Sequence, residues 1–224
     1  MRITSGTAPY RIKLGKHFAA SCIAAVLAPT IALAHPHVTI EARAVLAYAP
    51  DGGGLSEVRH EWTFDPAYSA FLAMGIPRAP NGTAAPAAMA GLAATTLASL
   101  AASDDFTWMK AGGHRAAFAA ATGPEMSLSG GRVTLRFAMP LRERPDPGAK
   151  VVLEVMDPTY FVAFSFAPGD DAVRAEGAPE GCALAVQRPK GFDPATAARL
   201  ASGALEALAG ATDAVDNRAT LTCP

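Results

Sequence analysis

The chain of 224 residues carries 19 Lys+Arg against 20 Asp+Glu; half of it is apolar, 7% is aromatic, and it contains three Cys. Near-balanced charge excludes a nucleic-acid binder that works by bulk basicity, and the low charge with a high apolar content excludes intrinsic disorder. The length allows one domain or two small ones, with a core resting on Val, Leu, Ala and Phe.

Residues 1–34 read as an export signal. Arg2, Arg11, Lys13 and Lys16 form a basic segment free of acidic residues, Phe18 to Leu33 is an apolar stretch, and Ala32-Leu33-Ala34 is an A-x-A cleavage site. A membrane anchor would need about 20 apolar residues; this run is shorter and is broken by Pro29. Removing 34 of 224 residues, with four basic and no acidic side chains among them, leaves 190 residues with 15 Lys+Arg against 20 Asp+Glu, net −5. Two cysteines remain, Cys182 and Cys223, 41 positions apart. An even pair in an exported protein reads as a disulfide, worth about 3–4 kcal/mol on the chain-entropy account. The alternative is two free thiols, and the spacing excludes a redox C-x-x-C.

The mature chain, residues 35–224, opens with alternation. Val38, Ile40, Ala42 and Ala44 fall on one side and His37, Thr39, Glu41 and Arg43 on the other, which predicts a half-buried strand over 37–49. Asp51-Gly52-Gly53-Gly54 is a turn, and 55–64 returns as a second strand with Val58, His60, Trp62 and Phe64 on one face, so the two segments should form a hairpin. Asp65-Pro66 begins a helix, with Asp as N-cap and Pro at the first helical position, ending near Gly75. After a loop over 76–83, an Ala- and Leu-rich helix covers 85–102. Strands are then predicted over 106–110, 115–121, 132–137, 150–156, 160–166, 183–187 and 219–222, with a third helix starting at Asp193-Pro194 and ending around Gly210. No repeat and no long linker divides the chain. The pattern is that of a single α+β domain of mostly antiparallel strands, sandwich-like, with two or three helices.

The chemistry-bearing residues are few. Cleavage after Ala34 makes His35 the N-terminal residue, followed by Pro36 and His37. A terminal His offers its α-amine and imidazole together to Cu, Ni or Zn, and His37 adds a third nitrogen. Pro36 has no N–H, so the square-planar site built from deprotonated backbone amides cannot form. What remains resembles a histidine brace, the amine and ring of His35 with a second imidazole from elsewhere; His37 is too near in sequence to close it ideally, and His60 or His114 could serve. His60 shares its face with Val58, Trp62 and Phe64, which favours a hydrogen-bonded core histidine over a ligand; His114 lies in a Gly-rich turn and reads as solvated. Asp65 has a role as helix cap, and Asp157, before Pro158, shapes a turn. No phosphate loop, H-E-x-x-H or G-x-S-x-G is present, and no enzyme signal stands out.

Several stretches together resemble one family: His35-Pro36-His37-Val38 just after the signal, Glu61-Trp62-Thr63-Phe64-Asp65 with Tyr68-Ser69, Asp105-Phe106-Thr107, Asp157-Pro158-Thr159-Tyr160-Phe161-Val162-Ala163-Phe164, and Gly181-Cys182 answered by Thr222-Cys223-Pro224. In this order, over nearly the whole mature chain, they resemble the DUF1007 family of bacterial exported proteins. The resemblance implies a periplasmic protein, often described as a periplasmic component of an ABC-type transport system, with genes near nickel/cobalt-type transporters. A hinged two-lobed binding protein does not suit 190 mature residues with a hairpin-rich pattern. Relatives carry an acidic, EF-hand-like stretch where this chain has Gly75-Ile76-Pro77-Arg78-Ala79-Pro80-Asn81-Gly82, which holds no carboxylate, so no calcium is expected. The expectation is therefore a periplasmic accessory protein, not an enzyme, soluble once its signal is removed. It would hold a transition-metal ion (Ni, Co, Zn or Cu) for an inner-membrane metal transporter. Its ligands would be His35 and His37, with His60 next and Asp65 or Asp157 further down the order. The alternative is a metal-free periplasmic adaptor, and no nucleic-acid partner is expected.

Overall fold

The structure, a computed structural model, describes residues 37–79, 82–191, 195–196, 199 and 216–224. Period-2 burial builds its first element: strand β1, Val38–Tyr48, buries Val38, Ile40, Ala42, Ala44 and Leu46 and turns the residues between them outward. The glycine turn reverses the chain into β2, Leu55–Phe64, antiparallel to β1 with His60 opposite Ala44 and Phe64 opposite Ile40. Gly54 has φ +87°, and a Cβ there would lie 2.1 Å from the carbonyl oxygen of Pro145, so the turn tolerates no side chain at this position.

Helix α1, Pro66–Met74, starts where Asp65 accepts a hydrogen bond from Tyr68 N–H, with Pro66 in the first turn. Helix α2, Pro86–Leu100, buries Met89, Ala93 and Leu97 at four-residue spacing and has no side-chain cap at its start. A 3₁₀ segment, Ala101–Phe106, leads into β3, Thr107–Ala111, followed by the two-residue β4, His114–Arg115. Then come β5 (Thr122–Ser129), β6 (Arg132–Pro140), β7 (Val151–Val155), β8 (Val162–Phe166), β9 (Val173–Glu176), β10 (Ala183–Gln187) and β11 (Arg218–Thr222).

The strands form two sheets. The first has the order β5-β6-β2-β1-β8, with β9 also on β1; the second runs β10-β11-β7-β3-β4. The second is antiparallel throughout. In the first, β8 pairs in parallel with Val38–Ala42 and β9 in parallel with Ala44–Ala47, so these two short strands follow one another along the same edge of β1. The fold is thus a mostly antiparallel α+β domain with two α-helices among the described residues. The parallel pairings are invisible to alternation, which gives a strand's buried face but not its partner's direction, and they need long crossovers.

One core serves both sheets. Trp62 lies at its centre, fully buried, with Phe137 at 4.8 Å and Phe164 at 4.9 Å, both ring pairs edge-on. Asn217, 1% exposed, ties the sheets together: its Oδ1 accepts from Phe166 N–H on β8 and its Nδ2 donates to Val155 O on β7. Cys182 and Cys223 are disulfide-bonded, closing β10 against β11.

Three expectations are corrected. The strand expected over 115–121 is only His114–Arg115, beyond which the chain makes an isolated bridge between Phe118 and Leu141. β5 shows no alternation in the sequence, because Met126 is its one buried residue and Gly123-Pro124 interrupt its ladder; such a strand belongs at an edge, where it lies. β9 is four residues long, too short to show a period. The helix expected from Asp193 to Gly210 lies outside the described residues, apart from isolated positions.

Candidate functional site

Two places hold the side chains that could carry chemistry. The first is the end of the first sheet where β1 begins. His37 is exposed immediately before β1, its N–H donates to Phe161 O, and its ring lies 4.5 Å from that of Phe161. His35 and Pro36 lie outside the described residues. The carboxylates at this end are engaged with backbone. Asp65 Oδ1 accepts from Tyr68 N–H at 2.9 Å and Oδ2 from Thr39 N–H at 2.8 Å, joining α1 to the start of β1. Burial pushes the Asp65 carboxyl up, but the N–H groups of Thr39, Tyr68 and Ala67 and the charge of Arg132 outweigh it and hold the carboxyl below its usual range. Asp157, 7% exposed, accepts from Thr159 N–H and Oγ1–H through Oδ1 and from Val162 N–H through Oδ2. It folds the Asp157–Phe161 turn, in which Tyr160 has φ +56°. Both acids are structural, as their sequence contexts suggested.

The second place lies between the sheets. His60 is 3% exposed and packed among Trp62 and Phe137. Its Nε2 is 3.2 Å from Thr107 Oγ1, while Thr107 Oγ1 donates its single proton to Asp105 O at 2.9 Å. The shared bond to His60 must then be donated by Nε2–H, which fixes the tautomer and leaves Nδ1 as a bare acceptor. Nδ1 has no hydrogen-bond partner, and burial pushes the His60 pKa down to about 3. His60 is a neutral core histidine.

His37 and His60 are not brought together. His60 pairs with Ala44, seven residues along β1 from His37, which is about 23 Å at strand rise, and the two side chains leave opposite faces of the sheet. One ion cannot bind both. His114 is exposed on β4. Among the described residues no three His, Cys, Asp or Glu side chains gather as a metal-binding group.

Asp105, which the sequence marks only as part of the Asp105-Phe106-Thr107 motif, has an unusual setting. Asp104, Asp105 and Phe106 have φ of +50°, +47° and +48°, a left-handed run without glycine. Such a conformation costs about 1–2 kcal/mol per residue and is least costly for Asp and Asn. The run turns the Asp105 side chain inward, where it is 8% exposed and its Oδ1 has no hydrogen-bond partner. Burial, reinforced by the Asp104 charge, raises the Asp105 pKa. Asp105 lines a cavity of about 550 Å³ that also meets Thr107, Trp108, Met109, Phe118 and Met139. The Asp104-Asp105 pair, with three residues between it and the apolar helix α2, is the sequence signal that marks this turn.

A second cavity, of about 600 Å³, lies on the outer face of the first sheet beside Arg43, Arg59, Arg136 and Arg174. Each of these arginines has a carboxylate partner: Asp171 for Arg43, Glu57 and Glu176 for Arg59, Glu61 for Arg136 and Glu176 for Arg174. This is the charged ladder that a half-solvated sheet presents to water.

The architecture defines a class: among the described residues, a disulfide-closed α+β domain of two mostly antiparallel sheets. Within that class the chain belongs to the family described as "Protein of unknown function (DUF1007)", whose model matches residues 20–223. No curated protein matches the chain significantly.

Proposed function

We propose that the protein is a periplasmic accessory protein that binds a transition-metal ion, of the Ni, Co, Zn or Cu group, at its processed N-terminus and serves an inner-membrane metal transporter. The observation that carries this reading is the position of His37. It is exposed at the very start of β1, anchored through its backbone to Phe161, directly after His35-Pro36 and the A-x-A site. Removal of the signal would then place the α-amine and imidazole of His35 next to the imidazole of His37. The disulfide suits an oxidising compartment. Because Asp65 and Asp157 already accept backbone N–H groups, the donor set would be nitrogen only. That favours Cu, Ni and Zn over Ca or Mg. His60 is left out of the ligand set on the geometry above. Titration of the processed protein with Ni, Cu and Zn tests the reading: binding should weaken as pH falls below about 6.5, and affinity unchanged after replacing both His35 and His37 with Ala would overturn it.

An adaptor role is favoured by a separate observation. Phe71 and Met74 on α1 and Phe161 beside His37 are exposed at 61%, 78% and 48%, and α2 carries no charged residue. Recovery of the same envelope partner from metal-stripped cells, lost with Phe71→Ser and Met74→Ser, would favour that reading over the metal site.

A further inference from the structure

We propose that Phe161 is a positioning residue for metal capture at the processed N-terminus, its ring held against the His37 imidazole by the Asp157–Phe161 turn; this role presupposes the metal-binding reading above. Phe161 carries no side-chain atom that could bind a metal, yet an unusual turn places it. Asp157 is 7% exposed, and its carboxylate accepts from Thr159 and from Val162 N–H, fixing both ends of the turn. Phe161 N–H in turn reaches Thr159 Oγ1 at 3.4 Å. Tyr160 stands at φ +56°, a left-handed conformation that a bulky aromatic residue adopts only where its surroundings impose it. The outcome is a large apolar ring left 48% exposed. What that ring meets is His37: the two ring centroids are 4.5 Å apart and the planes are inclined by 32°. Phe161 O accepts from His37 N–H at 2.9 Å, so backbone and side chain of one residue engage the same histidine. The parallel pairing of β1 with β8 begins at the next residue pair, Val38 with Val162.

The geometry of the contact suits a metal ligand. The lone pair that an imidazole nitrogen gives to a metal lies in the plane of the ring. A near-stacked neighbour occupies the face of the ring, so Phe161 restrains the direction of the imidazole while leaving its nitrogens to coordinate. A hydrogen bond from a ring nitrogen would restrain the imidazole too, but would occupy that nitrogen. Binding freezes the rotamer of each ligand side chain, and a ligand already held by a neighbour loses less freedom when the ion arrives.

The test compares the processed protein with its Phe161→Leu and Phe161→Tyr variants. All three keep the backbone bond from His37 to residue 161, so only the ring is changed. In the metal-free protein the ring current of Phe161 should move the His37 imidazole protons upfield in the NMR spectrum. Phe161→Tyr should keep that shift and Phe161→Leu should abolish it. Affinity for Ni, Cu and Zn should fall about 3- to 10-fold in Phe161→Leu, the worth of one aromatic ring pair, and stay within about twofold of the parent in Phe161→Tyr. Unshifted His37 protons in the parent, an equal loss of affinity in both variants, or parental affinity in Phe161→Leu would overturn the role of Phe161. If binding still disappears on replacing His35 and His37 with Ala, the metal site itself would stand. A parent that takes up none of the three ions, or binding that survives loss of both histidines, would overturn the metal site and the role of Phe161 together.

Discussion

Asp65 and Asp105 each stand beside a helical segment, and the protein treats them in opposite ways. Asp65, at the end where β1 begins, has a backbone N–H on each carboxylate oxygen and a lowered pKa. Asp105, between the sheets, has an oxygen without a donor, a left-handed backbone and a raised pKa. The first arrangement consumes the carboxylate for folding; the second stores a cost that folding alone does not relieve. Where acids are spent on the backbone, chemistry at that end falls to histidine and the terminal amine.

The largest effect is expected at Asp65. Asp65→Ala removes the N-cap of α1 and leaves Thr39 N–H without its acceptor, so it should destabilise the fold by about 2–3 kcal/mol in chemical denaturation. Because the Asp65 pKa is lowered in the folded state, its contribution is present above its unfolded value near 4 and fades as pH falls through the folded one. A variant as stable as the parent would mean the cap is not structural.

His60 should produce the next effect. Its folded pKa of about 3 lies below its unfolded value near 6.5, so unfolding takes up close to one proton between those limits. The domain should lose stability as pH falls, by about 2 kcal/mol between pH 6.5 and 4.5, and His60→Gln should flatten that slope. A slope that persists unchanged in the variant would place the titration elsewhere.

Asp105 should give the smallest effect, with the reverse sign. A raised folded pKa means that its stabilising contribution is present below the unfolded value near 4 and lost as pH rises through the folded one. At neutral pH the ionised side chain is a liability, so Asp105→Asn should raise stability by about 1 kcal/mol at pH 7, with the gain disappearing below pH 4. A loss of stability at pH 7 would show that Asp105 has a partner in the fold.

Much of this was readable in sequence where local physics decides. The alternation of Val38 to Ala44 and of Val58 to Phe64 turns His37 outward and His60 inward. Asp65-Pro66 marked its helix start, and the two remaining cysteines marked their bond. What escaped was non-local. Thr107 reaches His60 across 47 positions, and Asn217 reaches Phe166 across 51; no pattern in either segment announces such a partner. The backbone run at Asp104–Phe106 escaped because left-handed φ at three non-glycine residues is imposed by the surrounding structure against local preference. The parallel edge of β1 escaped because crossover connections leave no periodic trace.

Metal binding by nitrogens at a processed terminus can be read by native mass spectrometry of the exported protein. The chain should begin at His35, be two hydrogens lighter for the Cys182–Cys223 bond, and retain one Ni, Cu or Zn ion that is lost when His35 and His37 are both replaced by Ala. A chain starting at another residue, or an ion retained in the doubly substituted protein, would contradict it.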